Sequence, residues 1–477
     1  MKRLITLTIL VLSAVACNLI PSPPPVTEAV PPQPEEQQPP APTLAALEHP
    51  AMLFTVDAAL GGETILPLLG VNAGPIPSGE STTDLTAQYQ AIGVTMVRNH
   101  GYSGPLDMGA IYPDQSADPT DPASYHWEVS DRVFRAILDG GFEPYFRLGD
   151  SWTVRGLEQR APTHPENWVQ AAVEVVRRYR QMAAEAGIPL RYVEIWNEPD
   201  HRQFWDASLV EFFDLFARTA QALKAEFPDL KVGGPGLTPA GAMSPRGQQY
   251  TQDMLAYLQD HDVPLDFFSW HIYSNDPQDY RDAARFYRQQ LDGHGYSGAE
   301  SHITEWNTAS GAETGVVTDL SLRVGGKGAS ILSAVWIVLQ QEDVAVSTLF
   351  RGTDTNINVP GFFGIFYADG RPKRPALAFS LWARMAAHPR RLNVTVGGDD
   401  GLWVLAGQDD DGEVALLVVN PTETATSWQA DFGGRGLTGS VTLYQVSDAA
   451  EGMQAFTLES AAAEIEAYTV QLLIVRP

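Results

Sequence analysis

Short, mostly apolar runs of four to seven residues alternate along the chain with longer stretches whose apolar positions recur at helical spacing. The runs predict strands at Leu68–Asn72, Val94–Arg98, Phe142–Leu148, Tyr192–Trp196, Lys231–Gly234, Phe267–His271, His302–Glu305 and Val346–Phe350. The stretches between them predict helices at Asp84–Ile92, Ser130–Leu138, Glu166–Ala186, Leu209–Glu226, Gln248–Gln259, Arg281–Leu291, Leu320–Gln340 and Ala376–Ala387. Strands buried on both faces read as continuous apolar runs, as these do. Eight strand–helix units in order imply an α/β fold, a (β/α)8 TIM barrel whose chemistry gathers at the C-terminal ends of the strands.

Beyond Pro389 the helical period stops. Asn393–Val396, Leu402–Ala406, Val414–Val419, Val441–Gln445 and Tyr468–Val475 read as strands, with a turn at Asp411-Gly412. They predict a small C-terminal β-sandwich over 390–477, after a barrel over 51–389. The acidic run Asp409–Asp411 lacks the glycine and glutamate spacing of a calcium loop and reads as a solvated turn.

The N-terminus has another pattern. Lys2 and Arg3 precede an apolar run, Leu4–Ala16, too short to span a bilayer. Residues 1–17 thus read as a signal peptide. Its end, Ala14-Val15-Ala16-Cys17, resembles a bacterial lipoprotein processing site, with Cys17 as the lipidated residue; an ordinary secretory signal cleaved near Ala16 is the alternative. Residues 18–50 are rich in Pro, Glu and Gln and predict a disordered linker. The expected location is exported, at the cell surface, with membrane contact only through the lipid anchor. Cys17 is the single cysteine, so no internal disulfide can form.

A net charge of −27 would repel phosphate backbones, which argues against a nucleic-acid partner. No His-Glu-x-x-His or paired cysteines provide a metal-ligand spacing, and no cofactor is expected. Gly325-Gly326-Lys327-Gly328 lies inside a helical pattern, without the strand–loop–helix setting of a phosphate site, and reads as close packing.

Two strand ends carry the candidate chemistry. Tyr192–Trp196 runs into Asn197-Glu198-Pro199-Asp200, and His302–Glu305 ends on a carboxylate. Strands four and seven face each other across a barrel mouth. Their carboxyl groups can thus reach the separation of roughly 5–5.5 Å that a double displacement at a sugar requires. The proton donor must be the buried partner with a raised pKa, and the nucleophile needs donors or a cation, for which Arg98 and Tyr273 are placed. Asn197 is placed to hold the sugar 2-hydroxyl. A single glutamate near a strand end is more often an ion-pair partner, and Glu194 is read that way. Trp196 and Trp270 read as packing residues, whereas Asp150 and Trp152, past strand three, are at the right place to reach the cleft.

Ile195-Trp196-Asn197-Glu198-Pro199 resembles the acid/base motif of clan A glycoside hydrolases. With Val97-Arg98-Asn99-His100, Phe268-Ser269-Trp270-His271-Ile272-Tyr273 and Ile303-Thr304-Glu305-Trp306, the chain is similar to glycoside hydrolase family 39, which includes β-xylosidases and α-L-iduronidases. Phe204-Trp205 and the segment Gly370–Ala376 add to the likeness. The resemblance implies a retaining O-glycosyl hydrolase acting on a poly- or oligosaccharide, with Glu198 as acid/base and Glu305 as nucleophile. It implies that Arg98, His100, Asn197, His271 and Tyr273 line the subsite of the attacked sugar. One departure is at strand eight, where the clan carries a tryptophan and this chain has Phe350-Arg351. Phe350, Phe362 or Phe363 is expected to substitute, or Arg351 to meet an acidic sugar. A surface carbohydrate-binding protein on an inactive barrel is the alternative, and transglycosylation by the same residues a third reading.

Overall fold

The computed structural model describes residues 43–44, 51–57, 63–77, 83–101, 104–151, 161–309, 317–354, 361–398, 401–433 and 441–476. The signal segment with Cys17, nearly all of the linker, and Trp152 lie outside the described residues.

Two strands precede the barrel, β1 (Thr43–Leu44) and β2 (Met52–Asp57). The barrel is built from β3 (Gly70–Asn72), β4 (Met96–Arg98), β5 (Glu143–Leu148), β6 (Tyr192–Ile195), β7 (Lys231–Leu237), β8 (Phe267–Tyr273), β9 (Glu300–Asn307) and β10 (Val344–Leu349). Each pairs in parallel with the next, and β10 closes on β3. The helices between them bury their apolar stripes against the outside of the barrel. Leu209–Glu226 starts at Ser208, whose hydroxyl and Glu211 form a reciprocal capping box, and Pro165–Ala186 stops at Gly187 with φ +70°.

Inside the barrel, side chains stack in layers. Met96, Tyr145, Tyr192, Phe267 and Val346 fill the lower level as one apolar cluster. Two residues further along these strands the period of two brings Arg98, Arg147, Glu194, Ser269 and Thr348 to the next level, all buried. Outside, Trp336 stacks on Trp382 at 5.6 Å and meets the edge of Trp306 at 5.4 Å. Trp196 and Trp270 are buried packing residues: Trp196 lies against Trp168 and Trp205, and Trp270 stacks on Tyr287.

The C-terminal strands are β11 (Arg390–Gly397), β12 (Trp403–Gln408), β13 (Val414–Asn420), β14 (Thr426–Asp431), β15 (Val441–Val446), β16 (Gln454–Leu458), β17 (Ala462–Ile465) and β18 (Thr469–Val475). β11 switches layers: Arg390–Leu392 pair with β12, and Asn393–Gly397 pair with β2. Met52, Phe54, Val56, Trp428 and Ile465 then share a core with Leu416, Val418, Leu443 and Leu473. The other face of β13 and β18 carries Ala415, Leu417, Val419, Val470, Leu472 and Ile474 into the barrel's own core. Both strands are buried throughout, which accounts for their unbroken apolar sequence.

Three features differ from the sequence reading. The sandwich recruits β1 and β2 from segments assigned to the linker and the barrel; β2 alternates buried and exposed positions and pairs with β11 and β14. β14, β16 and β17 differ from the sequence reading: the partly exposed faces of β14 and β16 dilute the apolar signal, and β17 is only four residues long. The helix expected over 320–340 is two, Ser321–Val324 and Gly326–Gln341, because Gly325 is extended and the Gly326 N–H bonds to Asp448 instead of continuing the ladder.

Candidate active site

Arg98 is the centre of the upper level. Its Nε donates to Glu194 Oε2 at 2.7 Å, Nη1 to Asn72 Oδ1 and Glu305 Oε1 at 2.9 Å each, and Nη2 to Asn197 Oδ1 at 2.7 Å. A guanidinium with no exposure needs acceptors for its N–H groups, and four acceptors on or just past three strands, β3, β6 and β9, meet it here. Asn72 Nδ2 donates to Thr304 O at 2.9 Å and Thr348 O at 3.0 Å, tying β3 to β9 and β10. Thr304 Oγ1 donates to Glu194 Oε1 at 2.8 Å. Arg98, its neighbours and hydrogen bonds hold Glu194 below the usual carboxylate range, against a desolvation that alone would raise it.

Thr304 and Glu305 are consecutive, yet both reach this cluster. The register between β8 and β9 slips there: Trp270 pairs with Ile303, but His271 pairs with Glu305. This bulge gives β9 one extra residue and turns Glu305 inward, where plain alternation after His302 and Thr304 would point it outward.

Glu305 accepts from Arg98 and, at Oε2, from the Tyr273 hydroxyl at 2.8 Å. His100 Nε2 lies 3.1 Å from its Oε1. Convergent donors suit a carboxylate, which only accepts. Burial, then Arg98 and Arg147, push His100 well below the ordinary histidine value, so its ring is neutral. Burial likewise lowers His271, whose Nδ1 is 2.8 Å from Glu198 Oε1 and 3.8 Å from Glu305 Oε2.

Glu198 stands on a strained turn. Trp196 has φ +79° and Glu198 φ +49°, left-handed values that non-glycine residues rarely adopt. The Glu198 N–H bonds to Gly236 O at 2.9 Å, and Asp200 accepts from the Thr238 N–H at 3.1 Å and its hydroxyl at 2.5 Å, pinning the turn to the end of β7. Burial, then the nearby Asp200 charge, push the Glu198 carboxyl up to about 8. Oxygens of Glu198 and Glu305 and a ring nitrogen of His271 all lie within 4.8 Å of one another. That spacing would also suit a small ion, a grouping the sequence did not reveal. Glu305, however, is already bonded to Arg98 and Tyr273, so a cation there would sit against a guanidinium.

All seven residues predicted for the site therefore meet: Arg98, His100, Asn197, Glu198, His271, Tyr273 and Glu305. Asn197 Oδ1 is held by Arg98, while its Nδ2 is buried and bonded to nothing among the described residues. Asn72, Thr304 and Asp200 were missed. The signal available for Asn72 was Arg98 itself, since a buried guanidinium demands acceptors on neighbouring strands. Asp150 accepts from the Gly109 N–H at 2.6 Å, beside a loop network in which Arg147 and the Ser151 N–H donate to Asp107. At the end of β10, Phe350, Phe362 and Phe363 form an aromatic cluster with Tyr273. Arg351 is buried, 1% exposed, with its guanidinium 5.8 Å from the Phe350 ring.

The family description "Glycosyl hydrolases family 39" matches residues 72–291. Over those residues the chain is similar to glycosyl hydrolase family 39. A beta-xylosidase of Geobacillus stearothermophilus is 28% identical over 214 residues, which cover 43% of this chain and 41% of that protein. An alpha-L-iduronidase of Homo sapiens is 26% identical over 115 residues, 24% of this chain and 18% of that one. The chain thus spans less than half the length of the curated relatives it matches. Among solved structures, a glucosidase from Croceicoccus marinus has a TM-score of 0.72 at 23% identity, covering 89% of this chain and 99% of that chain. A GH39 enzyme from Xanthomonas axonopodis pv. citri has a TM-score of 0.68 at 18% identity, covering 91% and 98%. At such identities these structures share the fold. The family 39 match takes in Arg98, His100, Asn197, Glu198, His271 and Tyr273 and stops before Glu305.

Proposed function

We propose that this chain is a retaining glycoside hydrolase of family 39 or a close relative in its clan, which cleaves O-glycosidic bonds of a poly- or oligosaccharide by double displacement. What carries the reading is the pair Glu198 and Glu305, with oxygens within 4.8 Å across one pocket and opposite surroundings. Glu305 attacks the anomeric carbon from a cradle of Arg98, His100 and Tyr273. Glu198, partly buried and with its carboxyl raised to about 8, carries a proton at neutral pH and gives it to the leaving oxygen. Once the sugar is bonded to Glu305, Glu198 as carboxylate takes a proton from water, which attacks the same carbon and releases Glu305. The unpartnered Asn197 amide nitrogen is available to a sugar hydroxyl next to the reacting carbon. The named relatives make a β-xyloside the first substrate to try. Export and a lipid on Cys17 remain proposals drawn from the leader sequence.

The test uses aryl glycosides and Glu198→Ala. With an activated aryl leaving group, azide should speed turnover of that variant and yield a glycosyl azide, because a small anion can enter where the carboxylate stood. Glu305→Ala should lose turnover altogether. Binding of glycans by the wild type without any hydrolysis would favour an inactive barrel and defeat the proposal.

A further inference from the structure

The glycines at 325, 326 and 328 sit where the barrel meets the sandwich. The Gly326 N–H, at the start of helix Gly326–Gln341, donates to Asp448 Oδ1 at 2.8 Å, on the turn between β15 and β16. A Cβ on Gly326 would stand 2.5 Å from Tyr468 O, and one on Gly328 would stand 2.3 Å from Leu322 O. Backbone therefore packs on backbone at both places. Around this seam Lys327 lies 5.3 Å from the Tyr468 ring, Arg384 4.6 Å from Tyr444, and Arg281 5.3 Å from Trp403. Arg374 Nε donates to Ser447 O at 3.3 Å.

The short helix wedged at this seam, Ser321–Val324, carries Arg323, which is 1% exposed. Its guanidinium donates to Thr308 O at 3.2 Å, Ala309 O at 3.0 Å, Asn307 Oδ1 at 3.4 Å and the Thr308 hydroxyl, and lies 4.6 Å from the Phe363 ring. Asn307, two residues past Glu305, donates to Phe350 O at 2.6 Å and Phe363 O at 3.1 Å. Among the described residues no carboxylate bonds to Arg323, and burial lowers it to about 10. Burying a cation on neutral acceptors is costly. Its bonds all go to the segment that follows Glu305.

We propose that Arg323 is a positioning residue for Glu305 and the Phe350–Phe363 wall, and that the sandwich holds it in place through Asp448. The inference rests on reading Glu305 as the nucleophile. The C-terminal domain then completes the active site: Asp448 anchors Gly326, the tight Gly328–Leu322 packing fixes Ser321–Val324, and Arg323 sets the end of β9.

The experiment is the labelling of the full chain by a 2,4-dinitrophenyl 2-deoxy-2-fluoro-xyloside, followed by intact mass and peptide mapping, with a parallel melting curve for every variant. A 1 Å displacement caused far from the chemistry can cost on the order of 100-fold, so Arg323→Met should slow glycosyl-enzyme formation by about that much. Arg323→Lys should recover at least about a third of the loss on a logarithmic scale, as it keeps a cation in reach of fewer carbonyls. Asp448→Ala should slow labelling roughly 5-fold, and combined with Arg323→Met it should add almost nothing, because both act on one connected unit. Should Arg323→Met not fold, Arg323→Lys and Asp448→Ala make the same cycle. Folded variants that label at the wild-type rate, or effects that multiply independently, would overturn the proposal. A wild type left unlabelled, or labelled away from Glu305, would remove the reading it rests on, an outcome visible before any variant is made.

Discussion

Arg98→Met is the most informative single change. Methionine fills much of the same volume but abandons Glu194 and Glu305, which Arg98 meets at 2.7 and 2.9 Å with no exposure of its own side chain. Removing one partner of a buried ion pair costs about 3–5 kcal/mol, because the remaining charge is left in a poor solvent. The cost should depend on pH in a definite direction. In the wild type Glu194 is held below its ordinary value, so its contribution is present at neutral pH and fades only as pH falls through that lowered value. In Arg98→Met desolvation prevails, and the Glu194 pKa rises above that of the unfolded chain. The variant then loses roughly 1.4 kcal/mol per pH unit between the unfolded value and its new, higher one. The stability gap between the two proteins must therefore widen from pH 5 to pH 8. Urea unfolding at both pH values measures it. A gap below about 1 kcal/mol at pH 8, set against the 3–5 expected for a broken buried pair, or one that is the same at both pH values, would refute the reasoning.

Three other outcomes are expected. The kcat/KM of the wild type should decline as pH rises past about 8, where Glu198 loses its proton, and Asp200→Asn, which removes a like charge, should move that alkaline limb to lower pH; a pH profile on an aryl glycoside with a poor leaving group decides it, and a limb that stays or moves upward contradicts the assignment. Tyr273→Phe deletes the hydroxyl 2.8 Å from Glu305 Oε2, and the loss of a charge-assisted bond worth about 1.5–3 kcal/mol should lower kcat/KM roughly 10- to 100-fold with the melting temperature nearly unchanged. Trp336→Ala empties the space between Trp306 and Trp382 and should cost about 3–5 kcal/mol in urea unfolding, while folded protein keeps its turnover rate.

The barrel was legible because its strands are buried on both faces and its helices on one, so each element carries its own period. The layer-switching strand β11 and the recruitment of β2 were not legible. Met52–Asp57 pairs with β11 and β14, segments more than 330 and 370 residues away in the chain, and its own alternation cannot say which sheet receives it. β16 and β17 are only five and four residues long, too short for a period to stand apart from loop. The break at Gly325 depends on Asp448, which arrives from another domain.

By itself the sequence determined that two glutamates, one with its amide neighbour, an arginine and a tyrosine stand at or just past strand ends, while His100 and His271 were singled out by the resemblance to family 39. The strand-end placement is a property of residue type and local period. Only the tertiary structure decided that Glu305 faces inward, because one extra residue in β9 reverses an alternation that would have sent it out. It also decided which carboxylate meets the cation and which is left to burial. Arg98 reaches Glu194 and Glu305, while Glu198 is left with burial, Asp200 and a neutral histidine. Charge and desolvation depend on distances across a closed barrel, and no stretch of chain carries those distances within it.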